Sequence, residues 1–91
     1  MLTVSVGTPF VVKLGAGPST GYLWQLESLP AEVQLLGSDF EQPSTAAIGD
    51  GGEQVFRLEI KQAGHYQLHF ILKRRWETTS IQTQLIEVDA R

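Results

Sequence analysis

Apolar residues recur at every second position in short runs, and clusters of Gly, Pro, Ser or Asp end each run. A period of two is what half-buried antiparallel strands require, because successive side chains point to opposite faces. Leu2 to Val6 forms the first run, and Phe10, Val12 and Leu14 the second, after Gly7-Thr8-Pro9. Tyr22, Trp24 and Leu26 alternate with Gln25 and Glu27 in the third, and a short fourth spans Val33 to Leu36. In the fifth, Phe56, Leu58 and Ile60 alternate with Arg57, Glu59 and Lys61; in the sixth, Tyr66, Leu68, Phe70 and Leu72 alternate with Gln67, His69 and Lys73. The seventh runs from about Ser80 to Val88, and its phase slips at the adjacent Leu85 and Ile86, which predicts a bulge or two covered faces. No stretch carries a convincing helical repeat.

Ninety-one residues suffice for one core but not two. Seven short strands in one domain over residues 1–91, with turn signals between them, predict an all-β fold: an immunoglobulin-like antiparallel β-sandwich of seven to eight strands. Two details agree. Trp24 falls in mid-strand where such folds bury a Trp, and Tyr66 opens the sixth strand just after a Gly, where a tyrosine corner would sit. The chain has no cysteine, so no disulfide bridges the sheets and burial alone must hold them together.

Antiparallel strands alternate in direction, so the second-to-third, fourth-to-fifth and sixth-to-seventh connections fall at one end of the sandwich. These are also the unusual ones. The first is Gly15-Ala16-Gly17-Pro18-Ser19-Thr20-Gly21; the second runs from about Gly37 to Gly52 and holds Gly49-Asp50-Gly51-Gly52; the third is Lys73-Arg74-Arg75-Trp76-Glu77-Thr78-Thr79. The connections at the opposite end read as plain turns. One end of the molecule is thereby marked as the working surface.

Catalytic chemistry finds little support. His65 and His69 lie four apart on one strand, hence about 13 Å apart at strand rise, too far to share a metal ion. They read as solvent-facing strand residues. No Gly-x-Ser-x-Gly elbow offers a nucleophile, Gly49-Asp50-Gly51-Gly52 lacks the Lys-Ser/Thr that follows a phosphate loop, and its one carboxylate is too few for a calcium loop. The expectation is a protein without enzymatic activity, cofactor or metal. A net charge of -3 argues against electrostatic nucleic-acid binding, and no apolar run reaches the roughly 18 residues of a membrane helix. No signal segment precedes the first strand, so the chain as written is expected in the cytoplasm; a leader trimmed upstream would make it periplasmic or secreted.

The loops have a binding logic instead. Pro18 fixes its own φ and restricts Gly17, while Gly21 permits a sharp re-entry into the third strand, so the Pro18-Ser19-Thr20 tip is displayed with little entropy left to lose. Trp76 lies beyond the sixth strand between Arg74, Arg75 and Glu77, the composition of a protein-binding hot spot and equally that of a loop Trp folded back over the sandwich edge.

Taken in order, the three loops resemble those of the chagasin family of cysteine protease inhibitors. The family's Asn-Pro-Thr-Thr-Gly-Tyr/Phe is met by Gly17-Pro18-Ser19-Thr20-Gly21-Tyr22, its Gly-x-Gly-Gly by Gly49-Asp50-Gly51-Gly52, and its Arg-Pro-Trp by Arg74-Arg75-Trp76, followed by Glu77. The resemblance covers essentially the whole chain, and it implies an immunoglobulin-like fold and reversible inhibition of papain-like cysteine peptidases; the chain is expected to be a monomer when free. In that reading the 17–21 loop enters the active-site cleft and the 49–52 and 74–77 loops clamp either side. Three residues depart from the pattern: Gly17 replaces Asn and adds backbone freedom, Ser19 replaces Thr but keeps the hydroxyl, and Arg75 replaces Pro, removing a φ restraint and adding charge. The competing reading is an immunoglobulin-like binding or adhesion module that uses the same loop end without inhibiting.

Overall fold

The structure is a computed structural model and describes residues 2–16, 21–41 and 52–91. Its strands are β1 (Leu2–Val4), β2 (Phe10–Ala16), β3 (Tyr22–Ser28), β4 (Val33–Glu41), β5 (Gly52–Ile60), β6 (Gly64–Arg74) and β7 (Gln82–Ala90). They form two facing sheets, of order β1-β7-β6-β3 and β2-β5-β4. All pairings are antiparallel except that of β1, which runs parallel to β7 from Leu2 opposite Val88 to Val4 opposite Ala90. The architecture is the all-β, immunoglobulin-like sandwich that the alternation predicts.

The inward phase of each strand supplies the core. Leu58, Ile60, Leu68, Phe70 and Val88 are fully buried, and the rings of Phe56 and Phe70 meet across the sandwich at 5.0 Å between centroids, tilted by 57°. Each such side chain contributes roughly 1.5–3 kcal/mol by leaving water, which in a chain without disulfides is the main force between the sheets. Trp24 is buried among them, as its mid-strand position implies, and the Tyr66 hydroxyl donates to the carbonyl oxygen of Gln62 at 2.7 Å, forming the expected corner.

Three strand expectations are corrected. The seventh strand has neither a bulge nor two covered faces: its register against β6 is unbroken from Gly64 opposite Ala90 to Leu72 opposite Gln82, and Leu85 is exposed while Ile86 packs on the core. Ile86, Val88 and Ala90 set the inward phase, and Leu85 is their outward neighbour. The irregularities lie instead between Leu26 and Ser28 in β3 and between Leu35 and Gly37 in β4. The second of these explains why the fourth strand looks short in the sequence. One extra residue, Leu36, reverses the apparent phase, and the strand then continues through Ser38 and Phe40, paired with Phe56 and Gln54. Because β4 runs on to Glu41, and β5 begins at Gly52, the connection between them is shorter than the expected span from Gly37. The first strand likewise ends at Val4; Ser5 to Thr8 make a turn, with Gly7 at φ 78° and the Thr8 amide donating to the Ser5 carbonyl.

On the outer face of the three-stranded sheet, Val55 is buried although it points away from the core. Register places it between Lys13 and Asp39, and the exposed pairs Lys13–Glu41 (3.2 Å) and Arg57–Asp39 (3.3 Å) lie around it. Its same-face neighbours are thus long side chains of the kind whose aliphatic stems shield apolar surface while the charges stay in water.

Candidate functional site

Two rungs of the sandwich organise the loop end. Ala16, the last residue of β2, is directly opposite Gly52, the first of β5, so the first loop leaves its sheet beside the point where the second loop rejoins it. Tyr22, the first residue of β3, is opposite Arg74, the last of β6, so the first loop lands in the other sheet beside the point where the third loop departs. The first loop therefore bridges the two sheets with one loop at each of its feet. Of the expected site residues, Gly17, Pro18, Ser19, Thr20, Gly49, Asp50 and Gly51 lie outside the described residues; Gly21, Tyr22, Gly52, Arg74, Arg75, Trp76 and Glu77 are described.

The landing foot is an aromatic and cationic cluster. The Arg74 guanidinium stands 4.4 Å from the centroid of the Tyr22 ring and 5.9 Å from that of Trp76, within the range where the negative face of an aromatic ring attracts a cation. Gly21 has φ 81°, a left-handed conformation that L side chains rarely adopt, and a side chain there would begin 3.5 Å from the Trp76 ring. The backbone conformation asks for glycine, while the indole stands at ordinary van der Waals distance from where a Cβ would be. Trp76 itself is 70% exposed, so it is not folded into the sandwich edge, and Arg75 beside it is also exposed.

The third loop is shaped by short local bonds. The Glu77 amide donates to the Arg74 carbonyl at 3.0 Å, the Lys73 ammonium donates to the Glu77 carbonyl at 2.7 Å, and the Ile81 amide closes on the Leu72 carbonyl at 2.8 Å. The Glu77 carboxylate faces the Arg74 guanidinium at 3.7 Å, an ion-pair distance beyond a hydrogen bond, and its Oε1 is shielded from solvent without a hydrogen-bond partner. Opposing charge at this separation holds Arg74 in place beneath Trp76.

The departing foot rests on residues that the motifs do not include. The Trp24 indole N–H donates to the carbonyl oxygen of Gly15 at 2.8 Å, which ties the start of the first loop to the strand that begins at its end. Gln54, buried and polar, accepts from the Trp24 backbone N–H at 2.6 Å and donates from Nε2 to the Trp24 carbonyl at 3.1 Å. Phe40 lies against Gly52, where a Cβ would come within 2.7 Å of its ring and still closer to the Glu41 carbonyl oxygen. Gly52 is thus a glycine for want of space. Gln54 and Phe40 escape the motif reading, yet a signal for Gln54 exists: continuing the inward phase of Phe56, Leu58 and Ile60 back by two residues puts a polar side chain on the core face.

His65 and His69 are exposed strand residues far from this end, and His65 lies 4.0 Å from Glu87. Among the described residues no cluster of three or more His, Asp or Glu groups forms a metal site.

This geometry has relatives. The model of the chagasin family of peptidase inhibitors, I42, matches residues 3–89. Chagasin of Trypanosoma cruzi is 28% identical over 80 residues, covering 82% of this chain and 73% of that protein. Among solved structures, the cysteine protease inhibitor EhICP2 of Entamoeba histolytica superposes with a TM-score of 0.79 at 20% identity, over 99% of this chain and 84% of its own. Leishmania mexicana ICP does so with a TM-score of 0.63 at 21% identity, over 99% and 88%.

Proposed function

Because the chain belongs to the chagasin family of peptidase inhibitors, we propose that it blocks papain-like cysteine peptidases reversibly, by occupying the active-site cleft rather than by any chemistry of its own. The observation that carries this reading is the pair of rungs: Ala16 opposite Gly52 and Tyr22 opposite Arg74 put the second and third loops at the two feet of the first. Strand roots in this order suit a wedge with two clamps. The Pro18-Ser19-Thr20 tip enters the cleft over the catalytic cysteine, and the 49–52 and 74–77 loops grip the walls. A stiff loop that fills the cleft without offering a carbonyl at attack geometry stays intact while it inhibits.

Titration of papain with the protein tests the reading directly, and absence of inhibition at micromolar concentration across papain and cathepsin L-like peptidases would sink it. The tip is tested by Thr20→Asp, which brings a charge into a desolvated cleft and is expected to raise the inhibition constant about tenfold or more while the fold survives. Equal inhibition by variant and parent would place the tip outside the cleft.

A further inference from the structure

The inner edge of β3 is paired with β6, but among the described residues no strand lies beside its outer edge, because β4, the next strand across, belongs to the other sheet. At Trp24, the buried centre of β3, the outward backbone N–H and carbonyl would otherwise lack a strand partner, and buried backbone groups left unpaired are costly. Gln54 takes the place of the missing strand. Its side-chain amide carries one acceptor and one donor in the geometry of a peptide group, and it meets Trp24 with both, at 2.6 and 3.1 Å. Asn is one methylene shorter, Glu in its charged form has no donor, and Lys and Arg have no acceptor.

This clasp is placed where the loops are rooted. Gln54 lies two residues after Gly52, where the second loop rejoins β5, and Trp24 lies two residues after Tyr22, where the first loop lands. The indole of the same Trp24 holds Gly15 at the departing foot. One tryptophan thus joins both feet of the first loop, and one glutamine joins that tryptophan to the root of the second. We propose that Gln54 is a positioning residue for inhibition: it sets the separation of the two sheets beneath the first and second loops, so that both meet a peptidase in one fixed relation. The proposal rests on the inhibitory reading above for its consequence, though not for its geometry. Loops that are not held in that relation are competent for only part of the time, and apparent affinity falls by that fraction, chiefly through the association rate.

Two variants and two measurements test it. Gln54→Met keeps the length and volume but makes neither bond, and inhibition of papain is expected to weaken about tenfold at all pH values. Gln54→Glu adds a readout that a purely structural role would not move. Burial raises the carboxyl pKa above its ordinary value, and in the protonated acid a carbonyl oxygen accepts from Trp24 N–H while the O–H donates to the Trp24 carbonyl, as glutamine does. On the adjoining strands Lys13, Asp39, Glu41 and Glu53 take the opposite phase, toward the outer face, and Tyr22 and Arg74 lie at the landing foot; the parent, titrated in parallel, carries all of them. Inhibition by Gln54→Glu, relative to parent at each pH, is therefore expected to be near parental at pH 5 and about tenfold weaker at pH 8.

The second measurement needs no peptidase. Since the chain has no cysteine, Leu23→Cys and Glu53→Cys, at exposed positions beside Trp24 and Gln54, accept spin labels, and the distance distribution between them is expected to broaden or shift in Gln54→Met. Thermal melts establish that each variant is folded at the assay temperature. Variants that are folded, inhibit like the parent at both pH values and keep the parental distance distribution would overturn the positioning role. A parent that fails to inhibit any peptidase overturns the inhibitory reading instead, and the spin-label distances then decide the geometric role of Gln54 alone.

Discussion

The two ends of the sandwich are held by different chemistry. Away from the loops, backbone groups from four segments interlock: Val6 N–H donates to the Arg91 carbonyl, Arg91 N–H to that of Val4, Gly7 N–H to that of Ile60, and Lys61 N–H to that of Glu32, all within 3.1 Å. At the loop end, the described contacts are made largely by side chains: Trp24 on Gly15, Gln54 on Trp24, Lys73 on Glu77, and Arg74 within reach of Tyr22 and Trp76. Backbone bonds survive most substitutions, whereas side-chain bonds end with the residue that makes them. The closed end is therefore expected to tolerate sequence change better than the loop end, and stability and recognition should separate along the long axis of the strands.

Trp24 is where that separation is expected to fail, and it carries the largest effect. It is at once a core side chain and the anchor of the first loop. Trp24→Ala should cost roughly 3–5 kcal/mol of stability, measured by urea or thermal denaturation, and inhibition should fall with it. A variant that melts like the parent yet does not inhibit would move Trp24 from the core to the interface and redraw the boundary between the two regions.

What the sequence discloses follows the same division. Strands whose phase never changes, such as Tyr66 to Leu72 and Phe56 to Ile60, are legible because burial of one face enforces strict alternation. The outer part of β4 is not, because the bulge at Leu36 exchanges inward and outward positions and Ser38 to Glu41 then carry no readable pattern. The parallel pairing of β1 is equally hidden, since three residues hold no information about direction. At the site, the glycines and aromatics that must adopt special conformations stand out, while Gln54 looks like any polar strand residue until its phase is counted. Its proposed role depends on a strand edge that has no neighbouring strand among the described residues, which belongs to the topology rather than to any local pattern.

A smaller effect, confined to recognition, is expected at Trp76. With 70% of its surface exposed it adds little to the core, and an aromatic of this size buried on binding is worth about 2 kcal/mol, on the order of thirtyfold in affinity. Trp76→Ala should weaken inhibition mainly through a faster off-rate and leave the thermal midpoint nearly unchanged. If instead the midpoint fell by many degrees while the folded fraction inhibited as before, the contact of Trp76 with Gly21 would be a structural cap, and the third loop would lose its role as a clamp.

The smallest effect belongs to the closed end and is the mirror image of the last. Tyr66→Phe keeps the ring against the core and removes only the hydroxyl that donates to the Gln62 carbonyl at 2.7 Å. Gln62 is exposed, so its carbonyl can turn to water when the donor is lost, and no buried group is left unsatisfied. The cost is then that of one net hydrogen bond, about 1 kcal/mol, which in a domain of this size lowers the midpoint by about 4–8 °C. Inhibition measured well below that midpoint should be unchanged in both rate constants, because Tyr66 lies at the far end of β6 from Arg74 and touches none of the loop roots. A Tyr66→Phe protein that lost affinity while fully folded would mean that strain at the corner is carried along β6 to Arg74 and the ring of Trp76, and the two ends would then have to be treated as one mechanical unit.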